Sequence, residues 1–185
     1  MTMQTRLSRA VAAAVLAGLA AVAPAGADTI LWKKVGNWDV SYYEEQRGCL
    51  ASVGFQRGST FFIGFDGSNR ELLGDVTIMD DAWQSIKSGV NYNIEARFGN
   101  SRWDLDMVGV NFGGTPGLLM NPSLDDDFER FTEDFMRAIN MKWSYRGAEL
   151  GDYNLNGSRA AFNAAVECQR YYLEGGAGGS DPFRN

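Results

Sequence analysis

The chain has 185 residues, of which 17 are basic, 23 are acidic and none is histidine. Arg6 and Arg9 are the basic residues of the first 27 positions, so the remainder has 15 basic against 23 acidic residues, a formal charge of −8. This excess of negative charge argues against nucleic acid as a partner, because phosphate backbones are bound by lysine and arginine. About 158 residues are enough for one domain with its own core.

The first 27 residues have the pattern of an export signal. Arg6 and Arg9 precede an apolar run over residues 10–23, and Ala25-Gly26-Ala27 offers a small-x-small cleavage site before Asp28. The apolar run is shorter than the roughly 20 residues of a spanning helix, and no second such run follows in the sequence, so we expect no stable membrane insertion of the mature chain. A short signal with few charges is typical of bacteria. We therefore predict an exported protein, periplasmic and possibly released.

Cys49 and Cys168 are the two cysteines of the chain. An even number of cysteines in an exported chain predicts a disulfide. This bond would close a loop of more than a hundred residues and join the first hairpin to the last helix. The alternative is a free catalytic thiol, which would lack a histidine to activate it.

Alternating apolar and polar residues predict four strands in the first half of the domain. The alternation begins with Trp38, Val40 and Tyr42. Further runs cover residues 49–55, 59–65 and 72–79, with turn residues between them. This half is therefore predicted as a meander of antiparallel hairpins, and a short helix or turn over residues 80–86 closes one end of the sheet.

Residues 90–110 predict a hairpin with a defined register. The two-residue turn Gly99-Asn100 places Ala96 opposite Trp103, so the smallest inward side chain faces the largest. The other inward pairs are also apolar. Past Met107 the alternation slips at Gly109, which predicts a bulge.

Four polar residues share the outward face of this hairpin: Asn93, Glu95, Asp104 and Asp106. Glu95 faces Asp104, and like charges directly opposed are unfavourable. One interpretation is a solvated face relieved by the diagonal pairs Glu95–Arg102 and Arg97–Asp104. The other is a binding site for a hard cation or a basic partner.

The C-terminal half predicts two helices, separated by strands over residues 142–145 and 153–155. The first helix follows a loop over residues 113–117, begins with a capping box of Ser123 and Asp126, and carries one apolar stripe: Phe128, Phe131, Phe135 and Ile139. The acidic run over residues 125–127 is interpreted as a helix start, which the helix dipole favours, rather than a cation site. The second helix covers residues 158–171 and is capped by Ser158.

Two segments resemble the invasion-associated locus B family. They are residues 155–162, in which a strand passes through Gly157 into an alanine-rich helix that ends in a cysteine, and Asn37-Trp38-Asp39-Val40 near the start. The resemblance implies a periplasmic or surface β-sandwich of alphaproteobacteria that acts as a non-enzymatic module, and it supplies no catalytic residues for this chain. The chain departs from the family pattern, in which further cysteines usually occur in mid-chain.

We predict an α+β fold: an antiparallel β-sandwich or flattened barrel of roughly seven to nine strands, with two C-terminal helices at its edge. Residues 1–27 are the signal, 28–174 the domain and 175–185 a flexible glycine-rich tail. The predicted role is a binding or accessory protein that contacts an envelope or extracellular protein, with no cofactor, metal or catalytic residue. The alternatives are a carbohydrate-active enzyme based on carboxylates and a small-molecule carrier with an internal cavity.

Overall fold

The structure is a computed structural model that describes residues 29–55 and 58–176. Ten strands and two helices lie in these ranges. The first five strands are β1 (Thr29–Val35), β2 (Trp38–Tyr43), β3 (Gly48–Gly54), β4 (Thr60–Asp66) and β5 (Leu73–Met79). The others are β6 (Asn91–Phe98), β7 (Ser101–Phe112), β8 (Thr115–Met120), β9 (Asn140–Tyr145) and β10 (Ala148–Asn154). The helices are α1 (Asp126–Arg137) and α2 (Ser158–Leu173).

The strands form one antiparallel sheet in the order β1-β2-β3-β4-β5-β8-β7-β6-β9-β10. The sheet curls so that its two halves face each other, and the rings of Phe61 in β4 and Trp143 in β9 lie 6.0 Å apart. Within the described ranges, the end strands β1 and β10 pair only with β2 and β9. The architecture is therefore a flattened barrel that does not close, with two helices, and the predicted fold class is confirmed.

Large side chains fill the space between the two halves of the sheet. Trp38, Phe61 and Trp143 are almost completely buried there. Helix α1 adds Phe135, whose ring centroid lies 5.7 Å from that of Trp38 and 5.7 Å from that of Phe61. The burial of these aromatic side chains is the main driving force for the curl of the sheet.

Helix α2 lies against β2, β3 and β4 and is bonded covalently to the sheet. Ala161 and Ala165 are fully buried, and their small side chains allow the helix to approach the strands closely. Cys168 on the same face forms a disulfide with Cys49 of β3, as predicted. Next to it, Oε1 of Gln169 accepts the backbone N–H of Cys49 at 2.8 Å.

Two of the sequence predictions about α1 are wrong. The N-cap is Asp125, whose carboxylate accepts the N–H groups of Asp127 and Phe128 at 3.0 and 3.2 Å, rather than a box of Ser123 and Asp126. The helix ends at Arg137, so Ile139 leaves the apolar stripe and is 78% exposed. The reading of the acidic run as a helix start is confirmed.

Glycine and proline misled the predictions elsewhere. The sequence predicts a loop over residues 113–117, but only Gly113 and Gly114 turn, and β8 begins at Thr115. No bulge occurs at Gly109, because the strand keeps its register and Gly109 is the next buried residue after Leu105 and Met107. A Cβ atom at Gly109 would collide with Ile86 and Lys87. Ser158 does not cap α2, since its hydroxyl donates to the carbonyl of Phe135 at 3.1 Å.

Two predicted segments lie outside the described residues. These are the export signal, residues 1–27, and the tail beyond Gly176. Neither of the two described helices is long and apolar enough to cross a membrane.

We expect the disulfide to be a large part of the stability of the domain. The bond joins residues 119 positions apart, and in the chain-entropy model a loop of this size is worth about 3 to 5 kcal/mol. Replacing both cysteines with alanine should lower the melting temperature by roughly 10 °C, measured by circular dichroism. Gln169→Leu in the oxidised protein removes the acceptor of the Cys49 N–H and should lower the melting temperature by a smaller amount. An unchanged melting temperature in the double variant would contradict the prediction.

A buried carboxyl group, that of Asp75, makes the stability of the domain depend on pH. Asp75 of β5 is 6% exposed and pairs with Gly64, which has no side chain. Burial raises the pKa of Asp75 to about 7, against the opposing hydrogen bond from Thr77 and with a further rise from Asp66. The folded state therefore binds one proton more than the unfolded state between about pH 4 and pH 7, and stability falls as pH rises through that range.

We predict that Asp75→Asn stabilises the protein at pH 8 but not at pH 4. The variant removes a buried charge that exists only above the pKa of Asp75 and keeps the acceptor for Thr77, whose hydroxyl lies 2.8 Å from Asp75. At pH 8 the free energy of unfolding should rise by about 2 to 4 kcal/mol. Urea unfolding at pH 8 and at pH 4 measures this difference. Asp104→Asn on the exposed face serves as the control. An equal gain at both pH values would show that ionisation of Asp75 is not its cause.

Candidate functional site

The outward face of the β6–β7 hairpin carries the four residues predicted as a binding set, and its predicted register is confirmed. Glu95 pairs with Asp104, and Asn93 with Asp106. The side-chain amide of Asn93 donates to the Asp106 carboxylate at 3.1 Å. The four residues therefore lie on one patch of the sheet, and three of them are exposed.

Arginine side chains pair with the carboxylates of this patch. Arg102 lies 3.0 Å from Glu95 and 3.2 Å from Asp104, so one predicted diagonal pair is present. Arg97 bonds Glu95 in its own strand rather than Asp104. Within residues 29–55 and 58–176 no group of three or more acidic, cysteine or histidine residues is arranged to hold a metal ion. The arrangement is that of a solvated face with ion pairs, and binding by this patch stays a prediction.

A larger concave site lies at the unpaired end of the sheet. It is a cleft of about 770 Å³. One wall is formed by the end of β3 and the turn after it, residues 53–55, and by the segment that follows β5, including Asp80 and Trp83. The other wall is β10, residues 149–154. The cleft exists because the sheet curls without closing, so β10 faces the end of β3 across open space.

A buried polar cluster forms the floor of the cleft. Ser59 Oγ donates to Asp80 Oδ2 at 2.6 Å and lies 3.5 Å from the hydroxyl of Tyr153. The other carboxylate oxygen of Asp80 accepts the N–H of Ala82 at 2.8 Å. Both oxygens of Asp80 thus have donors, and the chain has no histidine to activate the serine. The cluster holds the floor in place rather than forming an activated nucleophile.

Tyr153 connects the two walls of the cleft. Its ring folds back over Gly151, where a Cβ atom would lie 2.2 Å from the Tyr153 Cζ atom, so position 151 requires glycine. The same ring lies 4.6 Å from that of Phe55, centroid to centroid, on the opposite wall. These contacts give the floor an aromatic surface and fix the position of β10 relative to β3.

In the part of the chain that the structure describes, β10 pairs with β9 alone, and the backbone groups of its outer edge have no partner. The N–H of Leu155 donates to the carbonyl of Ile139 at 2.7 Å, which extends the β9–β10 register by one residue. In an antiparallel ladder, bonded and non-bonded pairs alternate, so Tyr153 bonds to β9. The N–H and C=O groups of Asp152 and Asn154 therefore point away from β9, toward the open side.

The sequence did not predict this site. Its parts lie far apart along the chain, at residues 53–59, 80–83 and 149–154, and only the curl of the sheet brings them together. The sequence predicts a short helix or turn over residues 80–86 and a strand over residues 153–155, and neither prediction indicates a site. One local signal was present: the short strand at Tyr153 is interrupted by Gly151 and carries the charged residues Glu149 and Asp152, which is typical of a sheet edge.

Comparisons of the chain with protein-family models, with curated proteins and with solved structures gave no match.

Proposed function

We propose that the protein is an exported, non-enzymatic binding or accessory protein that contacts an envelope or extracellular protein by strand addition to β10. The observation that carries this proposal is the edge of β10, where the backbone groups of Asp152 and Asn154 have no partner among the described residues and lie beside an open cleft. An extended segment that pairs with such an edge gains backbone hydrogen bonds, while its alternate side chains enter the adjacent pocket. The resemblance to the invasion-associated locus B family supports the same role.

The two alternative functions have less support. A carboxylate enzyme needs two carboxyl groups free to exchange protons. In the cleft, Asp80 accepts two hydrogen bonds and Asp152 is paired with Lys142 at 3.1 Å. A carrier needs an internal cavity, whereas the interior of the barrel is filled by aromatic side chains such as Phe61 and Trp143.

We predict that a proline at position 152 abolishes partner binding and leaves the fold intact. The N–H of Asp152 points away from β9, so its loss removes an edge donor without removing a bond of the sheet. The measurement is selection of random displayed peptides on the immobilised oxidised domain. Enriched peptides should bind wild type and Asp152→Ala, which keeps the N–H, but not Asp152→Pro.

The melting temperature of each variant shows whether it is folded. If the enriched peptides bind a folded Asp152→Pro variant as well as they bind wild type, strand addition at β10 is wrong. If no peptide is enriched on wild type, the proposed protein-binding role loses its basis.

Export itself gives a separate prediction. The disulfide is compatible with an oxidising compartment, and the expected cleavage point lies before Asp28. The intact mass of the protein from the envelope fraction of a bacterial host should correspond to a chain that begins at Asp28. Ala27→Phe should block processing, because the residue before the cut must be small. An uncleaved wild-type chain in the cytoplasm would contradict export.

A further inference from the structure

We infer that the segment bound by β10 is an extended basic strand with lysine or arginine at alternate positions, whose cationic side chains enter the cleft beside Glu149. This inference rests on the proposed function and adds the chemistry of the partner. It follows from the charge of the cleft, its aromatic walls and the geometry of an added strand.

The first support is the charge of the cleft. Its described lining residues include Asp80, Glu149 and Asp152 and no lysine or arginine. Asp80 already accepts two hydrogen bonds, and Asp152 is paired with Lys142. Among the described residues, Glu149 receives no hydrogen bond or ion pair, and its side chain is exposed. Glu149 is therefore the carboxylate available to a cation.

The behaviour of Tyr153 supports a negative potential at the floor. Burial raises the pKa of its hydroxyl above the ordinary value, and the charges of Asp80 and Glu149 raise it further, against the hydrogen bond with Ser59. Two carboxyl groups from opposite walls thus act on the same point. The potential that they create would attract a cation into the cleft.

The second support is the aromatic surface. Trp83 and Phe55 line one wall and Tyr153 the floor. A lysine or arginine side chain has a long aliphatic stem and a charged end. The stem can cover these rings while the charged end reaches Glu149, and a cation above an aromatic ring gains additional attraction.

Strand addition fixes the spacing of the basic residues. Successive side chains of a strand point to opposite faces, so every second residue of the added segment faces the cleft. Consecutive basic residues would place half of the charges on the other face. The β1 strand of a second copy has this less favourable pattern, since Lys33 and Lys34 are adjacent and Lys34 already pairs with Asp39.

The test uses capped synthetic peptides of strand length, labelled for fluorescence anisotropy and titrated with the oxidised domain. The probe alternates threonine and lysine. Three matched peptides have glutamine in place of lysine, glutamate in place of lysine, or the same composition with the lysines in one block. We expect the alternating lysine peptide to bind about tenfold more tightly than the glutamate peptide. It should also bind more tightly than the block peptide and lose affinity with added salt.

Two variants with the same change of charge complete the design. Glu149→Gln should lower the affinity for the alternating lysine peptide about three- to fivefold, as expected for the loss of an exposed ion pair. It should leave the affinity for the glutamine peptide unchanged. Glu167→Gln on the exposed face of α2 is the control and should change the affinity for neither peptide.

The outcomes separate the inference from the function on which it rests. If all four peptides bind equally and Asp152→Pro abolishes the binding of all four, strand addition stands and the inference of a basic partner is wrong. If none of the four binds while displayed peptides do, again only the basic partner is wrong. If neither kind binds, both proposals fail. Self-association that Asp152→Pro removes, measured by analytical ultracentrifugation, would show that the occupant is a second copy of the chain.

Discussion

The hydrogen bond from the indole of Trp38 to the carbonyl of Asn156, 3.0 Å long, determines how the two ends of the sheet meet. Trp38 begins β2, next to one end of the sheet, and Asn156 follows β10 at the other end. The indole is 1% exposed and lies edge-on to Phe135 in the core. Because this contact uses a side chain and a loop, the ends are held near each other while no other described strand pairs with the outer edge of β10. The open cleft is a consequence of that geometry.

The chain that follows Asn156 depends on the same contact. Gly157 has φ +87°, a left-handed conformation that favours glycine, and it lies against the Trp38 ring. Helix α2 starts directly after it and runs along β2, β3 and β4 to Cys168. The disulfide to Cys49 and the hydrogen bond from Cys49 to Gln169 then fix the far end of the helix. Trp38 and the disulfide thus clamp α2 at opposite ends.

Local patterns were enough to predict the parts of the fold that local rules control. Turn chemistry and alternation determined the pairing of Ala96 with Trp103, which is confirmed, and the two cysteines had one possible partner each. Strand β8 was missed because Pro116 and Gly117 usually interrupt strands, whereas here the carbonyl of Pro116 accepts the N–H of Asp80. The cleft depends on the curl of the whole sheet, and burial of Phe61 against Trp143 and Phe135 has no signature in local sequence.

The charges at the edge of β10 bear on specificity as well as on affinity. An unpaired edge invites pairing with any extended chain, and proteins commonly protect such edges with charges and bulges. β10 has both, a register irregularity between Glu149 and Gly151 and carboxylates on either side of it. These carboxylates repel acidic strands, including the β10 of a second copy. Neutral segments gain no electrostatic attraction from them. The same groups that protect the edge from unselective association would therefore select a basic partner, because discrimination requires a penalty for the wrong strand as well as attraction for the right one.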